Sequence, residues 1–163
     1  MRTLTGWWLC VMLLFSASSL AADYSHPQVE RLLAADRPPE GVVFELLAWD
    51  QRTWSWAAPM IADLRAQLRR KYPAVPVAIV SHGGEQFQLT RSRALQQPGA
   101  VDQLTGLVEE GVELHVCGAH SLWQQVPLSD YLEIVDVVPS GPARVNDYVE
   151  LGYTLILLQH PPE

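Results

Sequence analysis

The chain predicts a single α/β domain built on a five-stranded parallel sheet with helices packed against it. Three observations carry this. Five short apolar runs, rich in β-branched residues, recur from residue 41 onward. Segments with helical periodicity lie between them. The runs are continuously apolar rather than alternating, as suits strands buried on both faces of a parallel sheet. Regular alternation of strand and helix is the pattern of α/β folds.

The first run is Gly41 to Trp49 (GVVFELLAW). Ser55 to Lys71 follows as a helix, with Trp56, Met60, Leu64 and Leu68 every four residues forming one apolar stripe that reads as a core face. Arg65, Arg69, Arg70 and Lys71 crowd its end, where cations complement the helix dipole, and Pro59 is placed in the first turn. Val75 to Ser81 is the second strand. Gly99 to Glu110 is a helix closed by Gly111 as C-cap, and Val112 to Cys117 the third strand. A short helix starts just after Cys117 and carries Leu122 and Trp123. Ile134 to Val138 is the fourth strand, Pro142 to Leu151 a helix capped by Gly152, and Tyr153 to Leu158 the fifth strand.

Residues 1–21 precede this domain as a secretory signal peptide. Arg2 supplies a weak positive region, Trp7 to Phe15 an apolar run, and Ser16 to Ala22 small residues with the cut placed after Ala21. The run falls short of the roughly 20 residues of a membrane span, so no membrane association is expected after cleavage. Residues 22–40 form a polar lead-in with one helical turn around Val29 to Leu33, and residues 41–160 form the α/β domain.

Composition excludes several classes. The 163 residues are 48% hydrophobic and 18% charged, too apolar for disorder. The formal charge of -7 argues against a phosphate backbone, so no nucleic acid is expected as partner. Two cysteines cannot staple a domain of this size, and signal cleavage removes Cys10. Cys117 is then alone in the mature chain, a thiol without an internal partner in an oxidising compartment.

Ligands of open α/β sheets bind beyond the carboxyl ends of the strands. That rule selects Asp50–Trp56, His82–Glu85, Cys117–His120 and Pro139–Pro142. Cys117 ends its strand ahead of a helix start, a position that favours thiolate, and Gly118 leaves room for a partner to approach. His120 and His82 are candidates for activating the thiol or lining a pocket, and packing as an inert buried cysteine is the alternative. His82-Gly83-Gly84 reads either as an anion cradle or as a plain turn. Trp49 and Trp54 are candidates for a partner surface. His115-x-Cys117-x-x-His120, with His82, raises a metal reading, but the spacing matches no strong signature and His115 lies deeper in the sheet. No metal or other cofactor is expected, and no hydrolase motif is present.

Four stretches carry a family resemblance: VVFELLAWDQRTW, VAIVSHGGEQFQL, GVELHVCG and VDVVPSGPARVNDYVELGYTLI. Through them the chain, from about Val42 to Leu158, resembles the exported single-domain branch of the DsrE/DsrF-like family. The most specific features are the cysteine at a strand end and the Val-Val-Pro-x-Gly turn before a helix that closes in x-Gly-Tyr. The resemblance implies a three-layer α/β/α sandwich, trimers or hexamers, and a periplasmic location. It implies that Cys117 holds sulfane sulfur as a persulfide, received from a sulfur donor and passed to an acceptor protein or small molecule. The chain departs from the family pattern at Gly118-Ala119-His120-Ser121, where relatives tend to carry Asn-Thr, and at His-Gly-Gly, where His-Gly-Pro is frequent.

Overall fold

The computed structural model describes residues 24–160; the signal peptide expected at residues 1–21 lies outside them. Five strands form one all-parallel sheet: β1 (Gly41–Leu46), β2 (Val77–Ser81), β3 (Glu113–Cys117), β4 (Asp136–Val138) and β5 (Tyr153–Leu158). Their order is β4-β3-β2-β1-β5. The chain steps outward from β1 to β4, then crosses back to pair β5 with the free side of β1. A right-handed crossover reverses its face when the direction of travel reverses. Helices α2 (Thr53–Lys71) and α4 (Pro98–Glu109) accordingly contribute to one apolar cluster and α6 (Gly141–Glu150) to the other.

Strand alternation divides the residues between the two faces. Val42, Phe44, Leu46, Ile79, Leu114, Val116 and Ile156 pack with Trp54, Ile61, Leu64, Leu68, Leu104 and Leu107 in the larger core. Val43, Ala78 and Val80 meet Val145 and Tyr148 of α6 on the opposite face. That smaller layer also carries polar strand residues. His115 Nδ1 lies 2.9 Å from Asp136, its Nε2 lies 2.8 Å from the Tyr148 hydroxyl, and Tyr148 donates to Glu113 at 2.8 Å. This network binds α6 to β3 and β4 and draws His115 away from the strand ends.

Several boundaries differ from those expected. Strand β1 ends at Leu46, because the Ala48 amide leaves the ladder for the Glu85 carboxyl at 2.8 Å. Helix α2 begins at Thr53, which puts Pro59 inside the helix instead of in its first turn. Proline there withholds the N–H that would bond Ser55 C=O. The buried face of α2 includes Trp54, Ala57 and Ile61 as well as Met60, Leu64 and Leu68. Gly111 and Gly152 cap α4 and α6 with φ of +90° and +86°, conformations that favour glycine.

The lead-in holds a full helix, α1 (Pro27–Ala34), where one turn was expected. It guards the sheet edge: Gln28 Nε2 donates to Leu155 O at 2.7 Å, and His26 Nε2 lies 3.3 Å from Leu157 O. Open strand edges invite pairing with other chains, and side chains that occupy their carbonyls blunt that tendency. Lys71 closes the C-terminus of α1 as well as ending α2, donating to Leu33 O and Ala35 O at 2.6 Å. Among the described residues no helix is long and apolar enough to cross a membrane.

The smaller layer makes the fold sensitive to alkali. Burial, the hydrogen bond to Glu113 and the Glu113 charge raise the Tyr148 phenol well above its ordinary value. Burial with the Glu113 charge also raises Tyr153 in this layer, and burial raises Tyr131 in the larger core. A phenol whose folded-state pKa is raised contributes stability that is present below its unfolded value, about pH 10, and lost as pH rises toward the folded one. The melting temperature is therefore expected to fall steeply above about pH 10. Tyr148→Phe should show a shallower fall; an identical slope in the variant would contradict this account.

Candidate functional site

The carboxyl ends of four strands converge on a cleft of about 460 Å³, lined by Trp49, His82, Cys117, Ala119, His120, Trp123, Gln124, Ser140 and Pro142. Trp49 follows β1, His82 follows β2, and Cys117 is the last residue of β3. Ala119 to Trp123 belong to helix α5 (Gly118–Trp123), and Ser140 N-caps α6. The volume falls within the ordinary range for small-molecule sites.

A buried carboxyl shapes the floor. Glu85, fully buried in the 3₁₀ segment Gly84–Leu89, accepts hydrogen bonds from Ala48 N (2.8 Å), Ser81 Oγ (2.7 Å) and Gly83 N (3.0 Å). The Ala48 carbonyl in turn accepts from Gly84 N (2.7 Å) and Glu85 N (3.2 Å). Together these bonds clamp the loop after β1 against the loop after β2. A methyl at Gly83 would collide with Glu85 Oε2 and with Ala48 O, so the close approach requires glycine. One at Gly84 would meet the Trp49 ring at 2.9 Å. The His-Gly-Gly turn is therefore no anion cradle. The amides of His82, Gly83 and Gly84 are taken by Leu46 O, Glu85 Oε1 and Ala48 O, and Gly83 does not line the cleft.

Cys117 is 6% exposed and is held through its backbone. Its N–H donates to Gln86 Oε1 at 2.8 Å, and its carbonyl accepts from Ser121 Oγ at 2.9 Å. Gln86 is wholly buried, and its Nε2 finds no hydrogen-bond partner in the protein. Gly118 lets α5 run against β4, since a methyl there would lie 3.0 Å from Val138 O. At Gly141 a methyl would lie 2.5 Å from His82 Cβ and 3.2 Å from Cys117 Cβ. The bare start of α6 thus brings His82 and Cys117 side by side.

The two imidazoles have defined anchors. His120 Nδ1 lies 3.0 Å from the His82 carbonyl, which can only accept, so that nitrogen carries the proton. Its ring stands edge-on to Phe87 (5.0 Å) and Trp49 (5.6 Å). His82 Nε2 lies 2.7 Å from Glu45 Oε1.

The structure brings Cys117, His82, His120 and Trp49 to one cleft and leaves Trp54 out. Trp54 is 1% exposed and donates its Nε1–H to Glu85 O at 3.0 Å, so it belongs to the core and not to a partner surface. The exposed rim is Trp49 (71%) and Trp123 (81%). Among the described residues no group of three or more His, Cys, Asp or Glu side chains is placed to hold a metal ion. His115 faces Asp136 and Tyr148 instead of the cleft. Sequence reasoning missed Glu45, Glu85 and Gln86. A carboxylate inside the apolar run VVFELL was a legible signal for the first; Glu85 ends a segment the strand-end rule selected but was given no role, and nothing marked Gln86.

Fold and site define an α/β protein with a five-stranded parallel sheet and a cysteine cleft at the carboxyl edge of that sheet. No family model and no curated protein matches the chain. Solved structures do: a protein of unknown function from Methanobacterium thermoautotrophicum is similar at a TM-score of 0.57 and 26% identity, over 72% of this chain and 97% of that one.

Proposed function

We propose that this chain is an exported sulfur-handling protein of the DsrE type, which binds sulfane sulfur as a persulfide on Cys117 and relays it to a partner. The observation that carries the reading is the placement of Cys117, the one cysteine among the described residues, in a cleft between two anchored imidazoles. Its thiolate attacks the outer sulfur of a polysulfide or donor persulfide and later yields that sulfur to an acceptor thiol by ordinary exchange chemistry. With no second cysteine among the described residues to resolve the persulfide, turnover requires an external acceptor. The exposed Trp49 and Trp123 beside the cleft suit contact with such an acceptor. Cleavage after Ala21, residence in the periplasm and assembly into trimers or hexamers belong to the same reading.

The test is the sulfur itself. Protein exposed to polysulfide and desalted is expected to hold about one equivalent of cyanolysable sulfur, released on adding a small thiol. Protein that gains none contradicts the proposal.

One observation favours a second reading, a non-catalytic binding or assembly module of the same fold with a structural cysteine: the 6% exposure of Cys117. In that case iodoacetamide labels the thiol only after denaturation, whereas the sulfur-handling reading requires labelling of the native protein.

A further inference from the structure

We propose that Glu45 is a positioning residue that acts through His82 on Cys117, forming a carboxylate–imidazole–thiol array across three neighbouring strands; the sulfur chemistry assigned to it rests on the function proposed above. Glu45 lies in β1 opposite Val80 of β2, His82 follows β2, and Cys117 ends β3. Alternation puts Glu45 on the same face as Val43, the face that α6 covers. The pair is poorly hydrated, with 18% of the Glu45 side chain and 9% of the His82 side chain exposed.

Geometry assigns the roles. A carboxylate only accepts, so the 2.7 Å contact places a proton on His82 Nε2 and leaves Nδ1 with the lone pair in the neutral ring. The carboxylate orients the ring and stabilises the imidazolium formed when Nδ1 takes a second proton. The bare Gly141 holds His82 and Cys117 against a common point. No lysine or arginine lines the cleft, so imidazoles are the nitrogen bases beside the thiol. Gln86, which fixes the Cys117 amide, keeps a buried Nε2 without a protein partner at the same end of β3.

The step balances without any oxidant or reductant. The Cys117 thiol proton passes to His82 Nδ1, and the thiolate pair forms a bond to the outer sulfur of an organic persulfide, R–S–SH. The donor S–S bond breaks, and its electron pair leaves on R–S⁻. That thiolate takes the proton back from the imidazolium, giving Cys117–S–SH and R–SH.

The test reads thiol reactivity independently of sulfur transfer, as the rate of iodoacetamide alkylation of the native full chain from about pH 5 to 8, the span over which an ordinary imidazole changes charge. General acid–base assistance contributes roughly 10²–10⁴-fold to rates, and Glu45→Gln, which misorients the base without removing it, is expected to slow alkylation about tenfold at neutral pH. Glu45→Asp should recover most of the loss. In a His82→Gln background Glu45→Gln should have no further effect. A wild-type rate in Glu45→Gln across the pH range overturns the proposal, as does an equal slowing in the His82→Gln background. Should Glu45→Gln fail to fold, Glu45→Ala, which removes the carboxylate, compared with and without His82→Gln decides between the same two outcomes. If alkylation follows the expected pattern while wild-type protein takes up no polysulfide sulfur, the array stands and the sulfur reading falls.

Discussion

Cys117→Ser is expected to abolish the uptake of sulfane sulfur while leaving the fold in place. The variant exchanges a polarisable, nucleophilic sulfur for a hydroxyl that forms no persulfide. The backbone bonds that hold this position, from Cys117 N to Gln86 and from Ser121 to Cys117 O, do not involve the replaced atom. Burying a hydroxyl in place of a thiol costs about 1–2 kcal/mol if it finds no partner. Cyanolysable sulfur should therefore drop to background while thermal unfolding stays cooperative. Undiminished loading in the variant would remove Cys117 from the chemistry altogether.

Glu85→Ala is expected to have the largest effect on stability. Removing the carboxyl strands two buried donors, Ser81 Oγ and Gly83 N, and the part-buried Ala48 N, and leaves a void where a wholly buried side chain stood. Each unsatisfied buried donor costs about 1–3 kcal/mol, so a loss of about 3 kcal/mol or more is expected, measured by urea unfolding. Glu85→Gln preserves the size but turns an NH₂ group toward one of the same donors, and should lie between the alanine variant and wild type. Because this carboxyl clamps the loop that carries Trp49, the cleft should lose definition along with the stability. A Glu85→Ala variant within about 0.5 kcal/mol of wild type, the scatter of ordinary surface substitutions, would contradict the account.

The sheet was legible in the sequence because its signal is redundant. VAIVS is apolar on both faces and buried at every position, as suits a covered parallel sheet, whereas YTLILL, equally apolar, lies at the sheet edge and leaves Leu157 exposed. The carboxyl-edge rule then brought out Cys117, His82 and His120 without any knowledge of strand order. Strand order itself, with β5 returning beside β1, follows from handedness and packing that no local pattern records. The Gly84–Leu89 segment was illegible for a related reason. Glu85, Gln86 and Gln88 are residue types normally found at the surface, yet here they are buried, with the backbone amides of Ala48 and Cys117 donating to the Glu85 and Gln86 side-chain oxygens. Trp54 was misplaced because three tryptophans close together suggest a surface, whereas the earlier start of α2 turns that ring inward to Glu85 O. The lead-in helix was legible only as a single turn, because its role is to cover an edge, which only the assembled sheet possesses.

Intact-protein mass spectrometry of the protein after exposure to polysulfide, with fragmentation to locate any added mass, tests the central claim most directly. One or more extra sulfur atoms are expected on the peptide that contains Cys117, lost on treatment with a small thiol. An unmodified chain whose native thiol also resists iodoacetamide would contradict the sulfur-handling reading and make Cys117 a packing residue of a binding module.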